Sequence, residues 1–201
     1  MTRAEIYERT VAVWSLDLDG PVLDFAEVFG RSAPVILDIG FGGGEATIAM
    51  ALEDPQRDVV AIEVHTPGIA NVLVAIEGHG MTNIRLVDGD VFELLARIAP
   101  GSLDEVRIYF PDPWPKPRQR NRRLVRPSFV AGLIDRLTVG GRIHLATDVA
   151  DYASQMQTVC GAFSELTGGA VDRPPTRPLT RFEQRGINEN RQPTDLIYHR
   201  V

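Results

Sequence analysis

Val35-Ile36-Leu37-Asp38-Ile39-Gly40-Phe41-Gly42-Gly43-Gly44-Glu45 is an apolar run that breaks into a cluster of glycines. Residues 35–39 have the length and composition of a buried strand, and the glycines behind them supply a tight turn. A helical pattern follows, predicting a helix with Ile48, Ala49 and Leu52 on one face, stopped by Asp54-Pro55. Strand, glycine turn and helix in that order form the first unit of a parallel sheet wrapped by helices.

The same alternation continues downstream. Residues 59–62 predict a second strand, and Thr66-Pro67 a helix start, as N-cap and first-turn proline, for a helix burying Ile69, Val72, Leu73 and Ile76 and ended by Gly78 and Gly80. Strands are expected at residues 84–87 and 106–110, with a helix of Phe92, Leu95 and Ile98 between them and Pro100-Gly101 as a turn. Pro127 opens a helix carrying Phe129, Val130, Leu133, Ile134 and Leu137, before Gly140-Gly141 and a strand at 143–146. Residues 196–198 add a last strand, expected to run antiparallel, and 168–178, rich in Gly, Pro and Arg, read as a surface loop. Upstream, Tyr7, Val11 and Trp14 stand at helical spacing and residues 23–29 form a short helix ending at Gly30. The expected architecture is one doubly wound α/β domain over residues 1–201, with 1–34 as a helical lead-in.

Composition narrows the function classes. A chain of 201 residues, 44% of them hydrophobic, can bury about 70% of its unfolded surface without a covalent staple. Cys160 is the only cysteine, which rules out an internal disulfide and thiolate metal sites, and His65, His79, His144 and His199 are too scattered to suggest a metal. The first twenty residues hold Glu5, Glu8, Asp17 and Asp19 rather than an apolar core behind basic residues, and no apolar run approaches bilayer length. A cytoplasmic protein without a membrane partner is expected.

Acids punctuate the strand ends: Asp38, Glu63, Asp90, Asp112 and Asp148 fall at or just after the five parallel strands. In a doubly wound sheet those positions share the carboxyl edge, where ligands bind. Singly, each has an ordinary explanation as an N-cap, turn former or surface charge. Together they outline a crevice. A dinucleotide loop would place glycine where Glu45 stands, and a carboxylate there repels a pyrophosphate. S-adenosylmethionine has no phosphate and carries a sulfonium and an ammonium, so it suits this loop. By analogy with dinucleotide folds, Glu63 would hold the ribose, and Asp90 would lie near the adenine.

Residues 110–123, Phe-Pro-Asp-Pro-Trp-Pro-Lys-Pro-Arg-Gln-Arg-Asn-Arg-Arg, join an acidic, aromatic elbow to a cationic tract. Pro111 and Pro113 restrict the backbone on either side of Asp112, so its carboxylate is aimed. Lys116, Arg118, Arg120, Arg122, Arg123 and Arg126 follow without an intervening acid, in a chain of net charge -6. The tract suits a polyanion, although a solvated basic loop would look the same.

With these pieces in place, the chain resembles the bacterial tRNA (guanine-N7-)-methyltransferase family, of the Rossmann-like class I methyltransferase fold. The likeness runs from about Val35 to the C-terminus. It rests on Ile62-Glu63-Val64-His65, Phe110-Pro-Asp-Pro-Trp114 with Lys116, Ala146-Thr147-Asp148, and Thr180-Arg181-Phe182-Glu183-Gln184-Arg185-Gly186. The resemblance implies methylation at N7 of guanine 46 in the tRNA variable loop, with S-adenosylmethionine as donor and no metal. It also implies that Asp38, Glu63, Asp90 and Asp112 contact the donor beside the loop glycines Gly40 and Gly42. Lys116, Asp148, Thr180, Arg181, Phe182 and Glu183 would hold the target nucleotide, and Arg118, Arg120, Arg122 and Arg123 would meet RNA.

Guanine N7 has a lone pair and no proton at neutral pH, so the reaction needs placement more than a general base. Asp112 is the candidate catalytic residue, through orientation or charge. Asp148 and Glu183 are candidates to accept from guanine N1 and the exocyclic amine, and Trp114 or Phe182 to support a flipped base, with plain core packing as the other reading of both aromatics. A methyltransferase of another RNA or a small molecule, or an inactive RNA-binding module, remain the alternatives, and monomer and homodimer are equally open.

Overall fold

The computed structural model describes residues 3–201. A seven-stranded sheet of order β3-β2-β1-β4-β5-β7-β6 forms its centre, from β1 (Val35–Ile39), β2 (Asp58–Glu63), β3 (Ile84–Asp88), β4 (Leu103–Tyr109), β5 (Leu137–Thr147), β6 (Leu166–Val171) and β7 (Thr194–Arg200). The first five strands are parallel, and β7 runs antiparallel to both β5 and β6. Every residue of β1 is buried, the signature of a central parallel strand covered on both faces.

Two apolar layers enclose the sheet. One face packs against α5 (Val91–Leu95), α6 (Pro127–Arg136) and α7 (Ala150–Gly161), with Phe25 and Phe29 of α2 (Phe25–Phe29) at its margin. The other packs against α1 (Arg3–Trp14), α3 (Glu45–Glu53) and α4 (Thr66–His79). The β3 edge is not left bare, because Leu16 N donates to Leu86 O at 2.7 Å. Among the described residues no helix is long and apolar enough to cross a membrane.

Strand order reverses at β1, between β2 and β4, which opens a crevice at their carboxyl ends. The glycine turn lies there, with Gly40, Gly42 and Gly44 at φ of 72°, 57° and 81°. The first turn of α4 presses on it from behind: a Cβ on Gly68 would stand 1.8 Å from the Gly42 carbonyl oxygen.

Several local expectations need correction. The buried face of α3 is Thr47, Met50 and Ala51, while Leu52 is exposed, because the helix turns the Thr47 hydroxyl inward to the buried Asp38. His65, not Thr66, caps α4, and no side chain serves the cap; the His65 N–H donates back to Glu63. Residues 140–141 lie within β5, where pairing with β4 shifts register between Leu103 and Glu105. Residues 168–171, expected in a loop, belong to β6, since pairing with β7 overrides the weak strand preference of two glycines.

Candidate functional site

Asp38 projects from inside β1 and is 3% exposed. It accepts from the Thr47 hydroxyl at 2.7 Å and is paired in register with Arg107 of β4. Burial raises its carboxyl above the usual aspartate range, against the pull of the Arg107 charge and the Thr47 hydrogen bond. An acid so placed gains most when a cation arrives beside it.

The glycine turn is fastened by Glu63, the last residue of β2. One carboxylate oxygen accepts from Gly42 N at 2.6 Å, and the other from Val64 N at 2.8 Å and His65 N at 3.1 Å. Of the roughly four lone-pair directions on a carboxylate, three are taken and one is left for a ligand. Sequence alone assigned Glu63 a ligand, and the structure adds that it fixes the loop.

A cavity of about 310 Å³ opens over Asp38, Gly40 and Gly42, at the small end of the range for small-molecule sites. Its far wall is Tyr109 and Phe110 from the end of β4 and Arg177, Thr180, Arg181 and Phe182 from the segment entering α8 (Arg181–Asn188). Phe182 is 52% exposed, and its ring lies 5.4 Å from that of Phe110. Glu45 faces the same cavity from the start of α3 and reaches α8, accepting from Arg181 N at 3.1 Å and pairing with its guanidinium at 3.3 Å.

Glu63, Asp90, Asp112 and Asp148 are not among the residues that line this cavity. Asp90 is the N-cap of α5, accepting from Phe92 N at 2.9 Å, so the ordinary explanation accounts for its side chain. Asp148 is no cap; its Oδ2 accepts from Arg191 at 2.7 Å. Asp112 is exposed on the elbow beyond β4. That elbow is strained at both ends, with Phe110 at φ 53° and Trp114 at φ 41°, a conformation that costs roughly 1–3 kcal/mol each and concentrates at functional sites.

The cationic tract divides in two. Lys116 and Arg118 are exposed, Arg120 lies 3.3 Å from Asp151, and Arg122 stacks over Trp114 at 5.0 Å. Arg123, expected to meet RNA, is instead 1% exposed with its guanidinium turned inward: it donates to Pro113 O, Gln155 and Asp151 and lies over the Tyr152 ring. It anchors the elbow to α7. Arg122 over Trp114 likewise gives that indole a partner of its own.

Glu183 departs most from expectation. It is buried, and both its oxygens are engaged by Arg177 at 2.7 and 2.8 Å, so it has no free face for a base. Arg177 also forks onto Asp195 at 2.7 and 2.8 Å. Burial lowers the Arg177 guanidinium, but the hydrogen bonds to Glu183 and Asp195 carry it above the ordinary arginine value. His144 Nε2 lies 2.7 Å from Asp195 and its Nδ1 2.9 Å from the Tyr109 hydroxyl. The Asp195 carboxylate can only accept, so the His144 Nε2–H donates to it, and the Tyr109 hydroxyl bonds the other ring nitrogen. Sequence reading missed Arg177, Tyr109 and Thr47. An arginine in a stretch rich in Gly, Pro and Arg has the composition of a surface loop, and no spacing pairs it with partners six and eighteen residues away.

A family model described as "Putative methyltransferase" matches residues 32–196. The chain is 46% identical to a tRNA (guanine-N(7)-)-methyltransferase of Streptomyces avermitilis, covering 99% of this chain and 71% of that protein. It is 49% identical to one of Xanthomonas campestris, covering 93% and 74%. Among solved structures, the 16S rRNA methyltransferase KamB superposes with a TM-score of 0.62 at 16% identity, over 90% of this chain and 96% of that one, which is a likeness of fold.

Proposed function

The chain belongs to the tRNA (guanine-N7-)-methyltransferase family, and on that footing we propose that it transfers a methyl group from S-adenosylmethionine to N7 of guanine 46 in the variable loop of tRNA, in the cytoplasm. The observation that carries this reading is the cavity between the glycine turn and the Phe110–Phe182 wall, with an exposed basic tract beside the same elbow.

The residues present fit the donor. A Cβ on Gly40, Gly42 or Gly43 would meet nothing within 4 Å, so a ligand can lie against the bare backbone. Asp38 offers a buried carboxylate to the ammonium, and Glu45 disfavours a phosphate-bearing competitor. Asp38, Gly40 and Gly42 would hold the amino-acid end, Glu63 the ribose through its remaining lone pair, and Asp90 the margin of the adenine. When bound, the donor supplies an electrophilic methyl group on a cationic sulfur.

This chain's task is to aim a lone pair. N7 forms its bond to carbon as the carbon–sulfur bond breaks, the bonding electrons leave with sulfur, and the ring becomes a cation; no proton has to move. Phe110 and Phe182 give the base an apolar wall, and Thr180 borders the same cavity with its hydroxyl accepting from Glu183 N at 3.2 Å. Asp148 keeps Oδ1 free of its arginine and can accept from guanine N1 or the amine; Glu183 is withdrawn from that role. Asp112 stands at the elbow as the carboxylate that favours the emerging positive charge. Lys116, Arg118, Arg120 and Arg122 meet the phosphates, and Arg181 can leave Glu45 to join them.

Labelled methyl transfer to tRNA, followed by mass spectrometric mapping, tests the proposal. The expected product is 7-methylguanosine at position 46, and a tRNA carrying 7-deazaguanine there accepts no methyl. Equal methylation of the deaza substrate overturns the N7 assignment.

A further inference from the structure

Helix α8 forms one wall of the cavity, yet only Glu183 and Gly186 of its eight residues are buried. No apolar side chain of the helix is buried, so the usual means of seating a helix on a sheet is missing. An ion cluster takes its place. Glu183 of α8 is forked by Arg177, Arg177 forks onto Asp195 of β7, Asp195 accepts from His144 of β5, and the other ring nitrogen of His144 lies 2.9 Å from the Tyr109 hydroxyl of β4. This polar rail crosses three strands of the sheet and ends one residue from Phe182. Outside it, α8 is linked to α3 by the exposed Arg181–Glu45 pair, of a kind that contributes little.

We propose that Arg177 is a positioning residue for the methyl transfer: by gripping Glu183 and Asp195 together, it seats α8 so that Phe182 closes the cavity against Phe110. This rests on the methyltransferase reading for its kinetic consequence, though not for the clamp itself. Four of the five guanidinium N–H groups already have carboxylate acceptors, so Arg177 does not serve as a phosphate contact. Lysine keeps the charge but cannot fork two carboxylates at once.

The test is Arg177→Lys in the full chain, alone and combined with Phe182→Ala. Hydrogen exchange in the ligand-free protein is expected to quicken at the amides of residues 184–189 while β1, β4 and β5 stay protected. Single-turnover transfer to tRNA at saturating substrates is expected to fall roughly 100-fold, the scale of a 1 Å misplacement. The salt dependence of tRNA binding stays at the wild-type value, because the exposed basic tract is untouched. In the Phe182→Ala background, Arg177→Lys should cost little more, because the two act through one placement. Unchanged exchange in α8, or rate losses that simply multiply, overturns the proposal. Should Arg177→Lys not fold, Glu183→Gln weakens only the α8 side of the fork and carries the same readouts. Absence of transfer by the wild-type protein would refute the methyltransferase reading, while the exchange of α8 decides the clamp independently.

Discussion

Single residues at the site differ chiefly in how many partners they already have. Glu63 holds three backbone N–H groups and has one lone pair to offer, Glu183 is buried with an arginine N–H on each oxygen, and Asp148 has one whole oxygen. Asp112 is exposed on an elbow whose shape is enforced by Arg123 donating to Pro113 O at 2.7 Å and by left-handed backbone at Phe110 and Trp114. A carboxylate fixed beside the crevice matters most while charge is moving, so Asp112→Asn should lower the single-turnover rate on the order of 100-fold with both ligands still bound. A rate near that of the wild type would remove Asp112 from the catalytic role.

At the scale of elements, the tract after the elbow is a 3₁₀ turn (Pro117–Arg122) whose basic side chains face water, while Arg123 just beyond it is buried. A change at Arg123 would therefore test folding rather than RNA binding. Arg118→Ala with Arg122→Ala is the informative pair. For every phosphate left without its arginine, the log–log salt dependence of tRNA affinity should flatten by about 0.7 to 0.9. Donor affinity should not move, and a salt slope identical to the wild type would return the tract to a solvated loop. The tract's charge was legible in the sequence. Its division into an exposed bank and a buried anchor was not, since Arg122 and Arg123 are adjacent and differ only in what α7 brings near them.

Across the whole molecule, strands β4 and β5 carry a buried charge cluster centred on Glu105. Glu105 is fully buried and serves Arg57, Arg107 and Arg142 at 2.6 to 2.9 Å. Burial works to raise its carboxyl, but the Arg107, Arg142 and Arg57 charges outweigh it and bring it from 4.5 to about 2. A folded-state value below the unfolded one means stability that is present above pH 4.5 and is lost as the pH falls toward 2, about 3 kcal/mol in all. Denaturant unfolding of the wild type and Glu105→Gln should give a stability gap that is full above pH 4.5 and narrows through that window. A gap that does not depend on pH would show that folding does not shift the Glu105 carboxyl, and a gap that changes in the opposite direction would show that it is held neutral in the folded protein.

The sequence by itself determined the alternation of strands and helices from β1 to β5, the glycine turn after β1, the acids at the strand ends and the proline-bracketed elbow. These follow from short-range causes: side-chain periodicity, the φ freedom of glycine and the fixed φ of proline. Only the tertiary structure decided which charges are free. Arg177 is internal because Glu183 and Asp195 arrive from α8 and β7, the buried face of α3 turns because Asp38 needs the Thr47 hydroxyl, and β6 is a strand because β7 lies beside it. Each of these depends on a partner that folding brings from another element, and a buried polar group is stable only when that partner is in place.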